Sequence, residues 1–334
     1  MANISITTVC HRDCGYCFAR DAWNGAVRHM TIEDYQRALD FLARSGIDQA
    51  RLLGGEPTLN PHFPRMVDLA LARGLRVLVF TGGLMPEAAL QRLEQAPADR
   101  VAVLVNVNGD EPGQAHALQR LGRRAVLGFN IHTPAFEPDF LLDLIRQHGL
   151  TPSIRFGLAH PSVDGSNRFL HPRHYAAAGE RLARFAERAR AAGIGLELDC
   201  GFVPCMFPPE AWEWIGPGAG CAPIPDILPD LTLVACYPLA ALGREPLENG
   251  RGAGDVRGRF DALFAVYRPA GVFRACSGCA LRESGRCEGG CLAAAMLRLR
   301  RGPFEFSVAE ERLHEQRTEA SRSARQGQPA GFHQ

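Results

Sequence analysis

Residues 3–18 read NISITTVCHRDCGYCF. The β-branched run over residues 4–9 is typical of a buried strand, and three cysteines follow it directly, at Cys10, Cys14 and Cys17. In barrel-like α/β folds, the loops after the carboxyl ends of the strands form the functional face. The stretch therefore predicts a strand that delivers three thiols to the functional end of a parallel sheet.

The alternation of strand and helix patterns continues to about residue 160. Signals such as Thr31 and Pro86 open helices, and Gly46 and Gly74 follow their ends. Strands that alternate with helices predict a parallel sheet with right-handed crossovers, and six βα units predict a partial (β/α)6 barrel of the α/β class. The predicted strands are apolar, as strands buried on both faces are: Ile4–Val9, Ala50–Leu53, Leu75–Phe80, Val101–Val107, Ala125–Ile131 and Ser153–Leu158.

The texture of the sequence changes near residue 195. A long helix is predicted over residues 172–192, and beyond it proline, glycine and cysteine become frequent while the periodic patterns shorten. We predict the barrel over residues 1–195 and a small irregular cysteine-rich domain over residues 196–303. Residues 304–334 are predicted to hold a C-terminal helix and a polar, disordered tail.

The bulk composition excludes several classes of protein. The 334 residues are 46% hydrophobic and 22% charged, with a formal net charge of +1, which indicates a globular protein and no nucleic-acid partner. The N-terminus lacks the basic and apolar regions of a signal peptide, and no run of 18 apolar residues predicts a membrane span. We therefore expect a cytoplasmic protein without a membrane partner.

Eleven cysteines in two groups require an explanation. A secreted disulfide framework is usually small, follows a signal peptide and has an even number of cysteines, and this sequence meets none of these conditions. In a reducing compartment, clustered cysteines are more often metal ligands, and thiolates suit iron–sulfur clusters or zinc. Three N-terminal thiols can hold three corners of a cubane and leave one iron open, whereas a structural zinc site needs a fourth ligand.

The N-terminal cysteine spacing, Cys-x3-Cys-x2-Cys, resembles the signature of the radical S-adenosylmethionine (SAM) superfamily. Tyr16, directly before the last cysteine, is the aromatic residue of that signature. The resemblance implies that Cys10, Cys14 and Cys17 bind a [4Fe-4S] cluster whose open iron chelates SAM. It also implies that Tyr16 packs near the adenine.

The segment after the second predicted strand supports the same resemblance. It reads LLGGEP, and Gly54, Gly55 and Glu56 match the Gly-Gly-Glu motif that binds the SAM ammonium group in the family. Family members place further SAM contacts on strands four to six, which makes Asn106 and Asn108 candidates, followed by Asn130 and Arg155. Each of these side chains could equally be an ordinary turn or core group, and so could His132 and His160, which follow strand ends.

The C-terminal cysteines resemble the SPASM extension of radical SAM enzymes, which holds one or two auxiliary [4Fe-4S] clusters. Three features depart from that pattern: seven residues separate Cys279 from Cys287 where the family has about five, Leu231 replaces an expected glycine, and no cysteine follows Cys291. The resemblance implies one cluster on Cys221, Cys236, Cys291 and either Cys200 or Cys205. A second cluster would use Cys276, Cys279, Cys287 and the remaining upstream cysteine. A single auxiliary cluster, and zinc at residues 276–291, are the alternatives.

The implied chemistry is radical chemistry. In the family, the reduced cluster cleaves SAM to methionine and a 5′-deoxyadenosyl radical, which takes a hydrogen atom from the substrate, and the auxiliary clusters accept an electron, bind substrate or relay charge. We expect oxidative modification or crosslinking of a peptide. The alternatives are dehydrogenation of a sugar or aminocyclitol alcohol and, from another class, a non-catalytic iron–sulfur electron carrier, which would have no use for the Gly54–Glu56 motif.

The resemblance also implies partners. An electron donor such as flavodoxin or ferredoxin would reduce the cluster. Because the first motif begins at Cys10, we expect peptide recognition to require a separate protein. Asp199 and Tyr237 neighbour predicted cluster ligands and have no assigned role.

Overall fold

The structure is a computed structural model that describes residues 1–23, 27–109, 111, 113–162, 165–212, 221 and 224–301. The helix and tail predicted over residues 304–334 lie outside the described residues. Within those described, no helix combines the length and the apolar character needed to cross a bilayer.

The described strands form one sheet in the order β10-β9-β8-β1-β2-β3-β4-β5-β6-β7. Strands β1 to β7 pair in parallel. The six predicted strands are all present, so the partial (β/α)6 barrel is confirmed, and β7 extends it by one strand. The bounds are β1 Asn3–Thr7, β2 Gln49–Gly54, β3 Arg76–Thr81, β4 Val101–Asn106, β5 Ala125–Ile131, β6 Ser153–Leu158, β7 Gly195–Leu198, β8 Asp226–Ile227, β9 Thr232–Val234 and β10 Arg244–Pro246.

The helices lie where the capping signals predict them. The hydroxyl of Thr31 accepts a hydrogen bond from the Asp34 N–H at 3.1 Å, and Gly46 adopts a left-handed φ of 62° after the first helix ends. The described helices are α1 Ile32–Arg44, α2 Phe63–Ala72, α3 Glu87–Glu94, α4 Gln114–Leu121, α5 Phe140–His148, α6 Tyr175–Ala191, α7 Ala253–Phe264, α8 Ala280–Glu283 and α9 Leu292–Arg301.

Alternating residues of the strands face two different environments, the hydrophobic core and a cavity. Ile4, Leu52 and Val79 are fully buried in the core that also contains the apolar faces of α1 and α2. Their strand neighbours, among them Asn3 and Arg51, point to the other face and line a cavity inside the barrel. This two-residue period places the polar side chains of the strands in one internal space.

The cysteine-rich region shares the sheet with the barrel. Strand β8 pairs in parallel with β1 and antiparallel with β9, and the Asn3 N–H donates to the Pro225 carbonyl at 2.9 Å. The domain boundary predicted at residues 195–196 falls inside β7. Sequence patterns missed this strand because it has only four residues, of which Gly195 and Glu197 are poor strand formers.

Leu231 occupies the turn between β8 and β9, where the family resemblance predicts a glycine. Its φ is 64°, and among the described residues it alone adopts a positive φ without being glycine. Its N–H donates to the Leu228 carbonyl at 2.9 Å, and its side chain is buried. The chain therefore keeps the backbone conformation that glycine favours and accepts the strain of a leucine there.

Candidate active site

The three N-terminal cysteines line one cavity of about 370 Å³ inside the barrel. They lie on the loop after β1, where the Cys17 N–H donates to the Cys14 carbonyl at 2.9 Å and closes a turn. None of the three forms a disulfide. The loop therefore presents the thiols of Cys10, Cys14 and Cys17 to a shared space, which fits three corners of an iron–sulfur cubane.

A segment that follows β6 holds this loop in place. The Asn167 side-chain N–H donates to the carbonyls of Tyr16 at 3.2 Å and of His160 at 2.8 Å. The Arg168 N–H donates to the Gly15 carbonyl at 2.8 Å. These contacts could not be predicted from the sequence, because a lone asparagine in a loop carries no local signal of a contact 151 residues away.

Gly54 and Gly55 allow the end of β1 to pass against the end of β2. A Cβ atom on either glycine would lie 2.2 Å from a carbonyl oxygen, that of Thr7 for Gly54 and that of Val9 for Gly55. The backbones instead join directly, since the N–H of Gly55 donates to Thr7 at 2.8 Å and that of Glu56 donates to Val9 at 2.7 Å. The two motifs are thereby fixed side by side.

Glu56 presents a tightly held carboxylate to the cavity. The side chain is 1% exposed. Its Oε1 accepts hydrogen bonds from the hydroxyls of Thr58 at 2.6 Å and Thr81 at 2.9 Å, and its Oε2 accepts from the Gly82 N–H at 2.8 Å. These donors fix the orientation of the carboxylate, so the group is suited to receive a cation.

The predicted asparagines divide into two roles. Asn106 and Asn130 line the cavity, where the Asn130 Nδ2 donates to the Asn106 Oδ1 at 3.4 Å. Asn108 does not line it; its Oδ1 accepts from the Tyr16 hydroxyl at 3.2 Å, and its Nδ2 donates to the Asn130 carbonyl at 2.7 Å. The Tyr16 ring stacks on His132 with centroids 4.8 Å apart. Asn108 and His132 thus position Tyr16.

Four C-terminal cysteines line the same cavity as the N-terminal three: Cys200, Cys221, Cys236 and Cys291. Burial raises the pKa of Cys236, of Cys291 and of Cys221, the last to about 12. A raised pKa favours the neutral, protonated thiol, and metal binding would release that proton. Four free thiols around one space fit an auxiliary cubane.

A second hollow is lined by Cys276, Cys279 and Cys287, and Cys221 also borders it. Cys279 lies directly before α8, and burial raises the pKa of Cys276 to about 11. Cys205 borders neither space and lies in the turn Pro204–Met206, which contacts α6.

Zinc and cubane clusters make different geometric demands on these thiols. Among the residues described, no three His, Cys, Asp or Glu side chains converge on a point where a single ion could bind. Tetrahedral zinc requires such convergence at about 2.3 Å from each sulfur. Cubane thiolates each bind a different iron, so a cluster does not require the thiols to converge on one point.

Polar side chains from the strands, and Asp199 directly after β7, complete the cavity. Asn3 donates to the Asp226 carboxylate at 2.7 Å, and Arg155 forms an ion pair with Asp199 at 2.8 Å. Burial raises the pKa of Asp226 to about 7. Sequence analysis had weighed Arg155 and Asp199 but missed Asp226 and Arg51, because the pairing of β8 with β1 that assembles them has no sequence signal.

Comparison with known families agrees with this site. The model of the radical SAM superfamily matches residues 4–125. A probable GTP 3′,8-cyclase of Pyrococcus horikoshii is 29% identical over 136 residues, 38% of this chain and 38% of the relative. An S-adenosylmethionine-dependent nucleotide dehydratase of a Thermoplasmatales archaeon is 34% identical over 94 residues, 28% of this chain and 33% of the relative. The chain thus matches little more than a third of the length of these relatives.

Two solved structures share the fold over most of the chain. Streptococcus suis SuiB, bound to the precursor peptide SuiA, superposes with a TM-score of 0.65 at 15% identity, over 92% of this chain and 74% of that one. The enzyme anSMEcpe with bound AdoMet superposes with a TM-score of 0.64 at 13% identity, over 98% of this chain and 99% of that one. Residues 4–125, which contain the three-cysteine loop and the Gly-Gly-Glu turn, thus match the radical SAM superfamily, and the two solved structures share the fold.

Proposed function

We propose that this protein carries out the oxidative modification of a peptide by radical SAM chemistry, with one SAM-binding cluster and two auxiliary [4Fe-4S] clusters. One observation carries the proposal. A single cavity is lined by Cys10, Cys14 and Cys17 and also by four C-terminal cysteines, of which Cys200 is the first in sequence. A substrate in this cavity would lie between the site of radical formation and an electron acceptor, as net oxidation requires.

The bound cluster and SAM together supply a 5′-deoxyadenosyl radical that removes a hydrogen atom from the substrate. The residues of this chain bind and orient. Glu56 receives the SAM ammonium group, Asn106 accepts or donates at the ribose, and Tyr16 packs against the adenine. Asn108 contributes to SAM binding indirectly, because it holds Tyr16 in position.

The two spaces support a ligand set for each of the proposed auxiliary clusters. Cys200 borders the cavity with Cys221, Cys236 and Cys291, and Cys205 does not, which supports Cys200 as the fourth ligand of the first cluster. The second cluster takes Cys276, Cys279 and Cys287. Counting alone names Cys205 as its fourth ligand, whereas the further thiol that borders this hollow is that of Cys221.

A peptide substrate is supported by SuiB, whose structure contains its precursor peptide. A second candidate is a nucleotide, because the curated relatives include GTP 3′,8-cyclases and nucleotide dehydratases. Their matches fall on about a third of the chain, so the likeness bears on SAM chemistry more than on the substrate. Dehydrogenation of a small alcohol remains the third candidate.

The test is mass spectrometry of a peptide encoded beside the gene, incubated with reconstituted enzyme, SAM and a flavodoxin or ferredoxin reducing system. A loss of two hydrogens together with 5′-deoxyadenosine formation supports the proposal, and loss of both products in Cys10→Ala is the matched control. Cleavage of SAM with no change in the peptide, but turnover of a nucleotide or a sugar alcohol, rejects the peptide assignment. Failure to cleave SAM under strong reduction favours an electron carrier.

A further inference from the structure

Arg51 on β2 is a buried cation whose Nε lacks a hydrogen-bonding partner among the described residues. The residue is 9% exposed, and it lines the barrel cavity. Its Nε lies out of contact with solvent and has no hydrogen-bond partner in the described part of the chain. A buried guanidinium nitrogen without a partner is destabilising, so such a group marks a place where an anion is expected to bind.

A second arginine faces the same place. Arg51 and Arg155 both lie over the ring of Phe80, with their Cζ atoms 5.6 Å and 5.5 Å from its centroid. Desolvation and the charge of Arg155 lower the pKa of Arg51. Two guanidinium groups held against one aromatic ring repel each other, and an oxyanion between them would relieve that repulsion.

The neighbouring acids neutralise only part of this charge. Asp199 pairs with Arg155 at 2.8 Å. Asp226 also lines the cavity; burial raises its pKa, the charge of Arg51 lowers it, and the two side chains form no ion pair within the described residues. Arg51 therefore forms no ion pair of its own within the described residues, and the charges of Asp199 and Asp226 act on it only at longer range.

We propose that Arg51, supported by Arg155, binds a single carboxylate of the substrate at the base of the cavity. This inference rests on the proposed function and names the substrate class more closely: a peptide whose modified segment carries an aspartate, a glutamate or a terminal carboxylate. The guanidinium fork matches a carboxylate through two parallel hydrogen bonds.

The charge balance favours a carboxylate over a nucleotide phosphate. A triphosphate carries three or more negative charges, and this cavity offers one cation without an ion pair among the described residues while Asp199 and Glu56 also line it. Arg12, which lines the cavity near the cysteine loop, is already paired with Glu111 and the Gly82 carbonyl. A polyphosphate would therefore meet more repulsion than attraction here.

Calorimetry on the anaerobic holoenzyme with saturating SAM tests this site. The probes are N-acetylglutamate methylamide, its neutral isostere N-acetylglutamine methylamide, and inorganic pyrophosphate. The variants are Arg51→Gln, Arg51→Lys and, as a control, Arg73→Gln, whose guanidinium forms an exposed ion pair with Asp40. SAM affinity and iron content are measured on every sample, so that misfolding, a failed SAM enzyme and a failed carboxylate site can be distinguished.

We expect the glutamate probe to bind at least tenfold more tightly than its neutral isostere. Arg51→Gln should abolish this preference, Arg51→Lys should keep part of it, and Arg73→Gln should leave it unchanged, with SAM affinity intact throughout. Equal binding of the two isosteres, or a preference that survives in Arg51→Gln, rejects the site. Tighter, Arg51-dependent binding of pyrophosphate rejects the carboxylate in favour of a phosphate. Loss of SAM affinity in Arg51→Gln would indicate that Arg51 binds the carboxylate of SAM itself, and this result would also reject the proposal.

Discussion

The hydroxyl of Tyr16 donates a hydrogen bond to the side-chain oxygen of Asn108 at 3.2 Å. The bond joins the cysteine loop to the segment after β4, and the same oxygen accepts the Asn130 N–H at 3.2 Å. The ring that is expected to meet the adenine is therefore held by a residue that does not itself line the cavity.

This relationship predicts a coupled effect on SAM affinity. Tyr16→Phe and Asn108→Ala each remove the bond, whose contribution of about 1 kcal/mol corresponds to roughly fivefold weaker SAM binding. Because both changes remove the same interaction, the double variant should lose much less than the product of the two effects. Independent, multiplicative effects measured by calorimetry would show that Asn108 binds SAM without Tyr16.

Gly55→Ala should disrupt the site by backbone contact. The added Cβ would lie 2.2 Å from the Val9 carbonyl oxygen, so the end of β1 must move away from the turn that carries Glu56. We expect loss of SAM binding and a melting temperature several degrees lower. The control is Gly258→Ala in α7, where a Cβ meets nothing within 4 Å and should stabilise the helix by about 0.5–1 kcal/mol. Normal SAM affinity in Gly55→Ala would contradict the close packing of the two motifs.

At position 231, substitution by glycine should leave the protein more stable than substitution by alanine, which reverses the usual order of the two. Both substitutions remove the same buried side chain, at a cost of about 2–5 kcal/mol. Only glycine relieves the left-handed backbone, by about 1–2 kcal/mol, which exceeds its extra entropy cost of about 0.5–1 kcal/mol.

Urea unfolding should therefore find Leu231→Gly more stable than Leu231→Ala. The same pair of changes at Leu228, a buried residue of the same hairpin without a positive φ, should show the ordinary order, with alanine more stable. Alanine ahead of glycine at both positions would mean that the turn carries no strain.

Asp226 should make stability depend on pH. Its pKa is raised by burial from 3.8 to about 7, so the folded protein binds a proton more tightly than the unfolded chain does. The stabilisation is complete below about pH 4, falls as pH rises towards 7 and is lost above it, with an upper bound of about 4 kcal/mol.

Asp226→Asn removes this titration and can still accept the Asn3 hydrogen bond. The variant should gain stability relative to the wild type between pH 5 and pH 8, as measured by thermal unfolding of the holoprotein. Asp48→Asn serves as the control, since the hydrogen bond from Arg76 lowers the pKa of that exposed carboxyl and it does not titrate in this range. A constant difference between Asp226→Asn and the wild type across the range would show that Asp226 is ionised throughout.

Local patterns predicted the barrel well because its strands are apolar and its helices carry caps. The six strands were located to within two residues at each end, and Thr31 and Gly46 bound α1 as expected. The two SAM motifs could also be found, since each lies next to a strand end and has a fixed spacing. The two motifs lie close together because β1 and β2 pair in parallel, which brings their carboxyl ends to the same edge of the sheet.

Contacts between distant segments could not be predicted in the same way. The strand β8 has two residues, and its pairing with β1 places Asp226 beside Asn3, 223 residues earlier in the chain. In the sequence, Arg51 is one charged residue in an apolar strand. Only the folded sheet places it near Arg155 and Phe80. Asn167 and the choice between Cys200 and Cys205 likewise depend on tertiary packing alone.

The account depends most on the number of clusters and on which thiols hold them. Iron and sulfide content after anaerobic reconstitution measures this directly, in the wild type, in a Cys10/Cys14/Cys17→Ala variant, and in Cys200→Ala and Cys205→Ala separately. At four irons per cluster, we predict about twelve irons in the wild type and about eight in the triple variant. About four irons in the wild type and none in the triple variant, with zinc retained, would contradict the auxiliary clusters and the oxidative chemistry inferred from them.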